Sequence, residues 1–74
     1  MYTDVKLPRD KGTIKYGDIL TSTMTHDVVV MHHVERKVPI VKVIGEDIIF
    51  DLDEFISAWG YRIEIKSNVN DYVC

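Results

Sequence analysis

Apolar and polar residues alternate in short runs along this chain, a pattern typical of β-strands rather than of long helices. The alternation begins in residues 13–16, and Gly17-Asp18 predicts a turn or bulge before the next apolar run. Residues 27–34 are rich in valine and predict the clearest strand. Residues 38–44 predict the next strand, and residues 61–66 alternate again as a half-buried strand with a polar outer side.

The two central strands differ in their expected surroundings. Residues 28–34 are largely apolar on both faces, which predicts a strand that is covered on two sides or contacts another molecule. A charged turn at residues 35–37 separates this strand from the next one. Pro39 lacks an amide hydrogen, so the start of the next strand is expected at a sheet edge or a bulge.

The strand over residues 38–44 is expected to continue into a β-hairpin. Gly45-Glu46 places glycine at the first central position, which is typical of a type II′ turn. Such a turn puts four apolar side chains on one face of the sheet. The expected cross-strand pairs are Val43 with Ile48, Val41 with Phe50, and Lys42 with Ile49.

The strongest local signal predicts a short helix over about residues 52–59. Asp51 is a good N-cap, and Glu54 three residues later completes an aspartate variant of the capping box. Phe50 and Phe55 have the spacing of a hydrophobic staple. A helix this short persists only if it packs against the rest of the protein.

Helical spacing gives this segment one apolar face. Gly60 follows it as a natural C-terminal stop. The face comprises Leu52, Phe55, Ile56 and Trp59. We expect it to pack on a sheet face that bears Val41, Val43, Ile48, Phe50, Ile63 and Ile65.

Together these elements predict an α+β fold, a small antiparallel sheet of four to five strands with one short helix packed on one face. A small SH3-like barrel is the alternative, because short consecutive strands joined by tight turns also suit a barrel. The expected organisation is an irregular N-terminal arm over residues 1–12, with a short strand near 2–7, a globular domain over 13–66 and a flexible tail over 67–74. The chain has 74 residues, which can fill one core.

Cysteine content and the two ends of the chain favour a cytoplasmic location. The single cysteine, Cys74, cannot form a disulfide within the chain and is expected as a free thiol. No apolar run reaches the roughly 20 residues needed to cross a bilayer, and the first nine residues lack the apolar stretch of a signal peptide. We therefore expect an intracellular protein with no membrane partner.

Charge is unevenly distributed along the chain, whose net charge is −3. Residues 46–74 hold seven carboxylates against two cations, whereas residues 1–16 hold four cations against two carboxylates. A dedicated nucleic-acid binder usually has a strong basic excess, because neutralising phosphates supplies most of its affinity. Two alternative functions remain: nucleic-acid binding through the basic N-terminal arm, and imitation of a nucleic-acid backbone by the acidic half. The basic residues of the arm are Lys6, Arg9, Lys11 and Lys15.

Acidic residues are densest between residues 46 and 54. The group comprises Glu46, Asp47, Asp51, Asp53 and Glu54. Carboxylates in the first turn of a helix offset unpaired backbone amides and the helix dipole, so a structural role is the first interpretation. The other two interpretations of this acidic group are a protein-binding patch and a Mg²⁺ site.

Sequence motifs for catalysis or a cofactor are absent. His26 and His32 would lie about 20 Å apart on a strand, and His32 and His33 would point to opposite faces. The serines lack a Gly-x-Ser-x-Gly context, and the chain has no glycine-rich phosphate loop. We expect neither an enzyme nor a metal or cofactor site.

The leading interpretation is a small non-enzymatic protein-binding module, a regulator or inhibitor that masks a surface of a larger partner, as phage-encoded inhibitors of host enzymes do. It rests on the missing catalytic motifs, the acidic C-terminal half and the surplus of apolar residues at 28–34. The hairpin over residues 28–44, or an edge strand, is also a candidate homodimer contact. The candidate partner-binding residues are Tyr16, Val29, Met31, His33, Glu35, Asp47, Asp51 and Asp53.

Overall fold

The structure, a computed structural model, describes residues 2–22 and 25–72. Its strands are β1 (Tyr2–Lys6), β2 (Thr13–Lys15), β3 (Asp18–Ser22), β4 (Thr25–His33), β5 (Val38–Val43), β6 (Ile49–Asp51) and β7 (Ile63–Asn68), and its helix is α1 (Leu52–Trp59). Short 3₁₀ turns lie at Pro8–Asp10, Gly60–Arg62 and Val69–Tyr72. Antiparallel strands with one short helix confirm the predicted α+β class.

Five of the strands form one antiparallel sheet in the order β6-β5-β4-β3-β7, and β1 and β2 form a separate ribbon. Strands β3 to β6 follow one another as a meander, and β7 returns beside β3 after the helix. Among the described residues no ladder joins β6 to β7, so the sheet has two edges. A closed barrel, the alternative prediction, would need that ladder.

Alternate residues of β4 lie in two different environments. Val28 and Val30 are buried in the core, whereas Val29 and Met31 point to the opposite side of the sheet. Helix α1 and the β1–β2 ribbon both pack on the core side. The core consists of Leu7, Ile14, Leu20, Val28, Val30, Val41, Val43, Leu52, Phe55 and Ile63. The apolar segment predicted at residues 28–34 is therefore a central strand that the chain itself covers on one face.

Two residues predicted to lie under the helix are largely exposed. Ile48 and Phe50 expose 44% and 46% of their surface, although their side chains point to the core side of the sheet. The prediction was wrong here because β6 is an edge strand of only three residues, and α1 leaves this margin of the sheet uncovered.

The β5–β6 hairpin has the predicted register but a different turn. The amide of Glu46 donates to the carbonyl of Val43 at 3.2 Å, so Gly45 is the second central residue of the turn. Its φ of 90° is the left-handed conformation that glycine adopts without strain at this position of a type II turn. The predicted type II′ turn is therefore wrong. The structure pairs Val41 with Phe50, Lys42 with Ile49, and Val43 with Ile48 through a 2.9 Å hydrogen bond.

Pro39 lies in a part of β5 that β6 does not reach. Strand β6 pairs only with residues 40–42 of β5. The amide of Val43 faces β6, and by the alternation of a strand the nitrogen of Pro39 faces the same way, past the end of β6. The missing amide hydrogen therefore costs no ladder bond, as the sequence predicts.

Helix α1 spans the predicted residues, but its two ends are built differently. Asp51 has the extended backbone of an N-cap, yet its carboxylate makes no capping hydrogen bond and pairs with the guanidinium of Arg36 at 3.2 Å. Gly60 has a right-handed conformation (φ −52°, ψ −37°) and leads into a 3₁₀ turn, so it is not a left-handed stop. Glycine suits this position because a Cβ would lie 3.0 Å from Cγ of Pro8.

Residues 2–12 are part of the folded domain and differ from the irregular arm predicted for this segment. Strand β1 pairs with β2, and the amide of Leu7 donates to the carbonyl of Gly12 at 2.9 Å. Leu7 and Ile14 are buried in the core. The short strand expected near residues 2–7 is present as β1, whereas the mixed charge and Pro8 gave no indication that Leu7 reaches the core.

A buried polar cluster joins the C-terminal end of β7 to the turn between β2 and β3. The carboxylate of Asp18, which is only 1% exposed, accepts a 2.8 Å hydrogen bond from the amide of Lys15. It also accepts a 2.8 Å hydrogen bond from the side-chain amide of Asn68, which donates in addition to the carbonyl of Tyr16. The cluster thus holds three strands together at one end of the domain.

The predicted C-terminal tail begins inside this cluster. Residues 67 and 68 belong to β7, and a 3₁₀ turn continues over Val69–Tyr72. Cys74, predicted to be a free thiol, lies outside the described residues.

Replacing Asp18 with asparagine is expected to destabilise the fold by about 1–3 kcal/mol. Asparagine keeps the shape of the side chain but turns one acceptor oxygen into a donor, which then faces the amide of Lys15 or of Asn68. Urea unfolding measures the loss. Asp10→Asn is the matched control, since Asp10 is exposed; equal stability of the two variants would contradict the role of the cluster.

Replacing Gly60 with alanine is expected to cost about 1–3 kcal/mol through overpacking. The backbone conformation suits alanine, but its Cβ would lie 3.0 Å from Cγ of Pro8 and 3.3 Å from Cγ2 of Ile56. The same change should cost less in a Pro8→Ala background, which lacks the opposing ring atoms. A double-mutant cycle of thermal unfolding measures this difference. Strict additivity of the two changes would show that Pro8 is not the obstacle.

Candidate functional site

The side of the five-stranded sheet opposite the core carries mostly apolar side chains around one lysine. We call this side the outer face; by strand register it carries Ile19, Val29, Met31, Ile40 and Ile49, with Lys42 between Val29 and Ile49. Met31 and Ile49 are each 43% exposed. Ile40 is buried although it lies outside the core cluster. Exposed apolar side chains grouped on one face are a common feature of interaction sites.

Charged side chains that border the outer face are paired with one another. The pairs are Asp27 with Lys66 at 3.0 Å, Arg36 with Asp51 at 3.2 Å, and Lys42 with Asp47 at 3.9 Å. Asp27, Asp51 and Lys66 belong to strands, Arg36 and Asp47 belong to turns, and Lys42 lies within the face between Val29 and Ile49. The charges on and around the outer face are therefore close to cations or carboxylates of opposite sign.

Asp27 is held in its ionised form by this arrangement. The hydrogen bond from the ammonium of Lys66 lowers the pKa of Asp27, and a hydrogen bond from Thr21 acts in the same direction. Partial burial of the carboxylate opposes the shift but is outweighed. The Asp27–Lys66 pair consequently persists at neutral pH.

A groove opens on the other side of the sheet, between α1 and the β5–β6 hairpin. We call it the α1 groove; its volume is about 500 Å³. Seven of its ten lining residues are apolar, namely Val28, Val43, Ile48, Phe50, Phe55, Ala58 and Trp59. The polar ones are His26, Glu46 and Glu54. Its volume lies within the range of pockets that bind ligands.

Strand β6 separates the two surfaces and contributes to both. Ile49 lies on the outer face, whereas Ile48 and Phe50 line the α1 groove. Ile44, at the start of the same turn, is 51% exposed. Of the nine exposed large apolar side chains among the described residues, four therefore lie on one hairpin at one edge of the sheet.

The structure divides the predicted partner-binding residues into separate groups. Val29 and Met31 lie together at the centre of the outer face, and Asp47 and Asp51 are held in its border ion pairs. Asp53 is exposed on the first turn of α1. These five do not form one acidic patch, since two of the three carboxylates are paired with cations.

The other predicted residues lie at the tip of the β4–β5 hairpin or on the core side. Glu35 is exposed in the tip, where the Nδ1 atom of His33 accepts a 3.1 Å hydrogen bond from the amide of Arg36. Tyr16 packs on the margin of the core, with its ring edge-on to that of His32 at 5.6 Å between centroids. Tyr16 therefore does not belong to the outer face.

The predicted nucleic-acid-binding cations do not form one patch. The ammonium of Lys11 lies 3.5 Å and 3.4 Å from the carbonyls of Tyr61 and Ile63, and the guanidinium of Arg9 lies over the Tyr61 ring at 5.1 Å. These two cations thus tie the N-terminal segment to the start of β7. The remaining two, Lys6 and Lys15, lie near opposite ends of the ribbon.

Histidines are distributed over three different places. His26 lines the α1 groove, His32 contacts Tyr16, and His33 accepts the hydrogen bond in the hairpin tip. Within residues 2–22 and 25–72, no three His, Cys, Asp or Glu side chains lie close enough together to hold a metal ion. In the same part of the chain, no helix is long and apolar enough to span a membrane.

Sequence reasoning missed the α1 groove as a site. The sequence places Glu46 and Glu54 in one acidic group and predicts Ile48 and Phe50 on the sheet face under the helix. The available signal was the direct succession of strand and helix at residues 50–52, which places Phe50 beside the start of α1. How far Phe50 protrudes depends on the edge position of β6, which local patterns do not specify.

Comparisons of the chain with protein-family models, with curated proteins and with solved structures gave no match. The case for a site therefore rests on the geometry and charge described above.

Replacing Asp27 with asparagine should lower the melting temperature at pH 7 and have a smaller effect at pH 2. The pKa of Asp27 is lower in the folded protein than in the unfolded chain, where it is about 4. The carboxylate therefore stabilises the fold above that pH, and the contribution disappears as the pH falls through the folded pKa.

Lys66→Gln, which removes the partner cation, should reproduce the same pH dependence. Thermal unfolding followed by circular dichroism at both pH values measures it. The assignment is contradicted if the melting temperatures of Asp27→Asn and of the unmodified protein differ by the same amount at both pH values.

Proposed function

We propose that this protein is a non-enzymatic protein-binding module that covers a surface of a larger partner through its outer face. The observation that carries the proposal is the group of apolar side chains on the outer face, of which Met31 and Ile49 are exposed. Burying such surface against a partner is favourable by roughly 25 cal/mol for each Å² of apolar area. The partner would supply the cover that the chain does not build for itself.

The shape and charge of the outer face favour a protein as the ligand. A sheet face is broad and shallow, whereas small-molecule sites are concave and enclose most of their ligand. Nucleic acid would require an excess of cations to neutralise phosphates, but Lys66 is paired with Asp27 at 3.0 Å and Lys42 lies 3.9 Å from Asp47. Protein–protein interfaces commonly combine exposed apolar side chains with charged ones in this way.

Strand addition at a sheet edge is a less suitable mode of binding here. The edge strand β7 carries the exposed charges Glu64 and Lys66, and side chains of this kind disfavour pairing with another strand. The opposite edge strand, β6, has only three residues. The hairpin over residues 28–44 lies in the middle of the sheet, so a second copy of the chain that contacts this hairpin would use the outer face and not strand pairing.

A module of this kind regulates or inhibits by occupying the partner's surface and needs no catalytic group of its own. Inhibition of a host enzyme by a phage protein is one setting for such a role. The proposal places the module in the cytoplasm, where a free thiol such as Cys74 stays reduced.

Site-specific photo-crosslinking tests the proposal. A photoreactive amino acid at Met31 or Ile49 should link the module to one protein in stoichiometric yield in an extract of the source cell. The same probe at Val34, which is 80% exposed in the hairpin tip, or at Tyr61 should not. Adducts that do not depend on the probe position, or none at any position, would overturn the proposal.

A charge substitution provides the second arm of this test. Met31→Asp should reduce formation of the adduct from the Ile49 probe at least tenfold, because it places a carboxylate in the interface without a partner cation. Val34→Asp is the matched control. Circular dichroism verifies folding, and gel filtration distinguishes a larger partner from a second copy of the chain.

A further inference from the structure

The α1 groove differs from the outer face in shape, because it has an apolar floor between two walls. Its floor is formed by the buried residues Val28, Val43 and Phe55, and its walls are apolar side chains of the hairpin and the helix. Ala58 is the smallest residue that lines it and leaves space between the helix and the hairpin wall. An apolar side chain of another molecule could therefore enter and displace water.

Two carboxylates stand on opposite walls of the groove. Glu46 belongs to the β5–β6 turn and Glu54 to the first turn of α1. Neither takes part in the ion pairs found among the described residues, which use other carboxylates, and no lysine or arginine lines the groove. The groove therefore combines an apolar floor with negative charge on two sides.

From this combination we propose that the α1 groove is a separate binding site for an amphipathic peptide segment of a partner protein, with large apolar residues at helical spacing flanked by lysine or arginine. The apolar residues would occupy the floor, and the cations would lie beside Glu46 and Glu54. Docking of an amphipathic segment into an apolar groove is a recurrent mode of peptide recognition.

Charge and backbone geometry select this occupant over the others. Phosphate-bearing ligands would be repelled by the two glutamates, so nucleic acid does not suit the groove. An added strand does not suit it either, because the backbone of Ile48 and Phe50 faces β5. Only Ile49 and Asp51 face outward from β6, and the carbonyl of Asp51 is engaged at the N-cap of α1. Recognition must therefore come from side chains.

Fluorescence anisotropy with a synthetic peptide tests this site. The probe is a labelled peptide with leucine and tryptophan at i, i+3 and i+4 spacing and lysines on its flanks. One control peptide carries glutamate in place of each lysine, and another carries serine in place of each leucine and tryptophan. The lysine peptide should bind, with an affinity that falls as salt is added, and both controls should bind at least about tenfold more weakly.

Matched variants of the protein locate the binding. Glu46→Gln with Glu54→Gln should weaken binding about tenfold, whereas Glu35→Gln with Glu64→Gln, which changes the net charge equally at distant exposed positions, should not. Ala58→Trp should block the groove without disturbing the core, since Ala58 is exposed. Equal loss in both double variants, or no binding of the lysine peptide, would overturn the proposal.

The proposals for the outer face and for the α1 groove can be refuted independently of each other. Met31→Asp on the outer face should leave peptide binding unchanged, because Met31 points to the opposite side of the sheet. If Ala58→Trp converts a dimer to a monomer in gel filtration, the groove holds a second copy of the chain and the peptide assignment is wrong.

Discussion

The structure is governed by a shortage of covering elements. A five-stranded sheet has two faces, and the chain supplies one helix of eight residues and one two-stranded ribbon to cover them. Both pack on the same face, where apolar residues from the ribbon, sheet and helix form one cluster. A fold in which both elements cover the same sheet face is more stable than one in which each face is covered in part, because core side chains need close contact on all sides. The open outer face and the uncovered margin beside α1 follow from this division.

A domain of this size must also restrain its ends with specific contacts, because a small core gives little excess stability. At one end of the sheet the buried carboxylate of Asp18 accepts hydrogen bonds from Lys15 and Asn68. Elsewhere Gly60 lies against Pro8, and the absence of a Cβ allows the turn after α1 to approach the N-terminal segment. These contacts tie the first and last segments of the described chain to the sheet.

Local sequence patterns predict the parts of this fold that depend on neighbouring residues, such as the bounds of α1 and the pairing of Val41 with Phe50. They fail where the partner is distant in sequence. Asp51 has the spacing of a helix cap but pairs with Arg36, fifteen residues away. The excess of apolar residues at 28–34 predicts an exposed face. The α1 groove was not predicted, because it depends on which strand becomes the edge of the sheet.

Strand β6 shows how the chain exposes apolar side chains without offering an edge for uncontrolled strand pairing. An exposed, flat, apolar edge strand is an aggregation hazard. Here the strand is three residues long, α1 begins immediately after it, and only Ile49 and the N-cap residue Asp51 direct backbone groups outward. The ion pairs of Asp47 and Asp51 flank it at both ends. Another molecule can therefore contact the side chains of β6 on either face, whereas the backbone of β6 offers few hydrogen-bonding groups to a further strand. Selectivity at both surfaces must come from the shape and charge that surround those side chains.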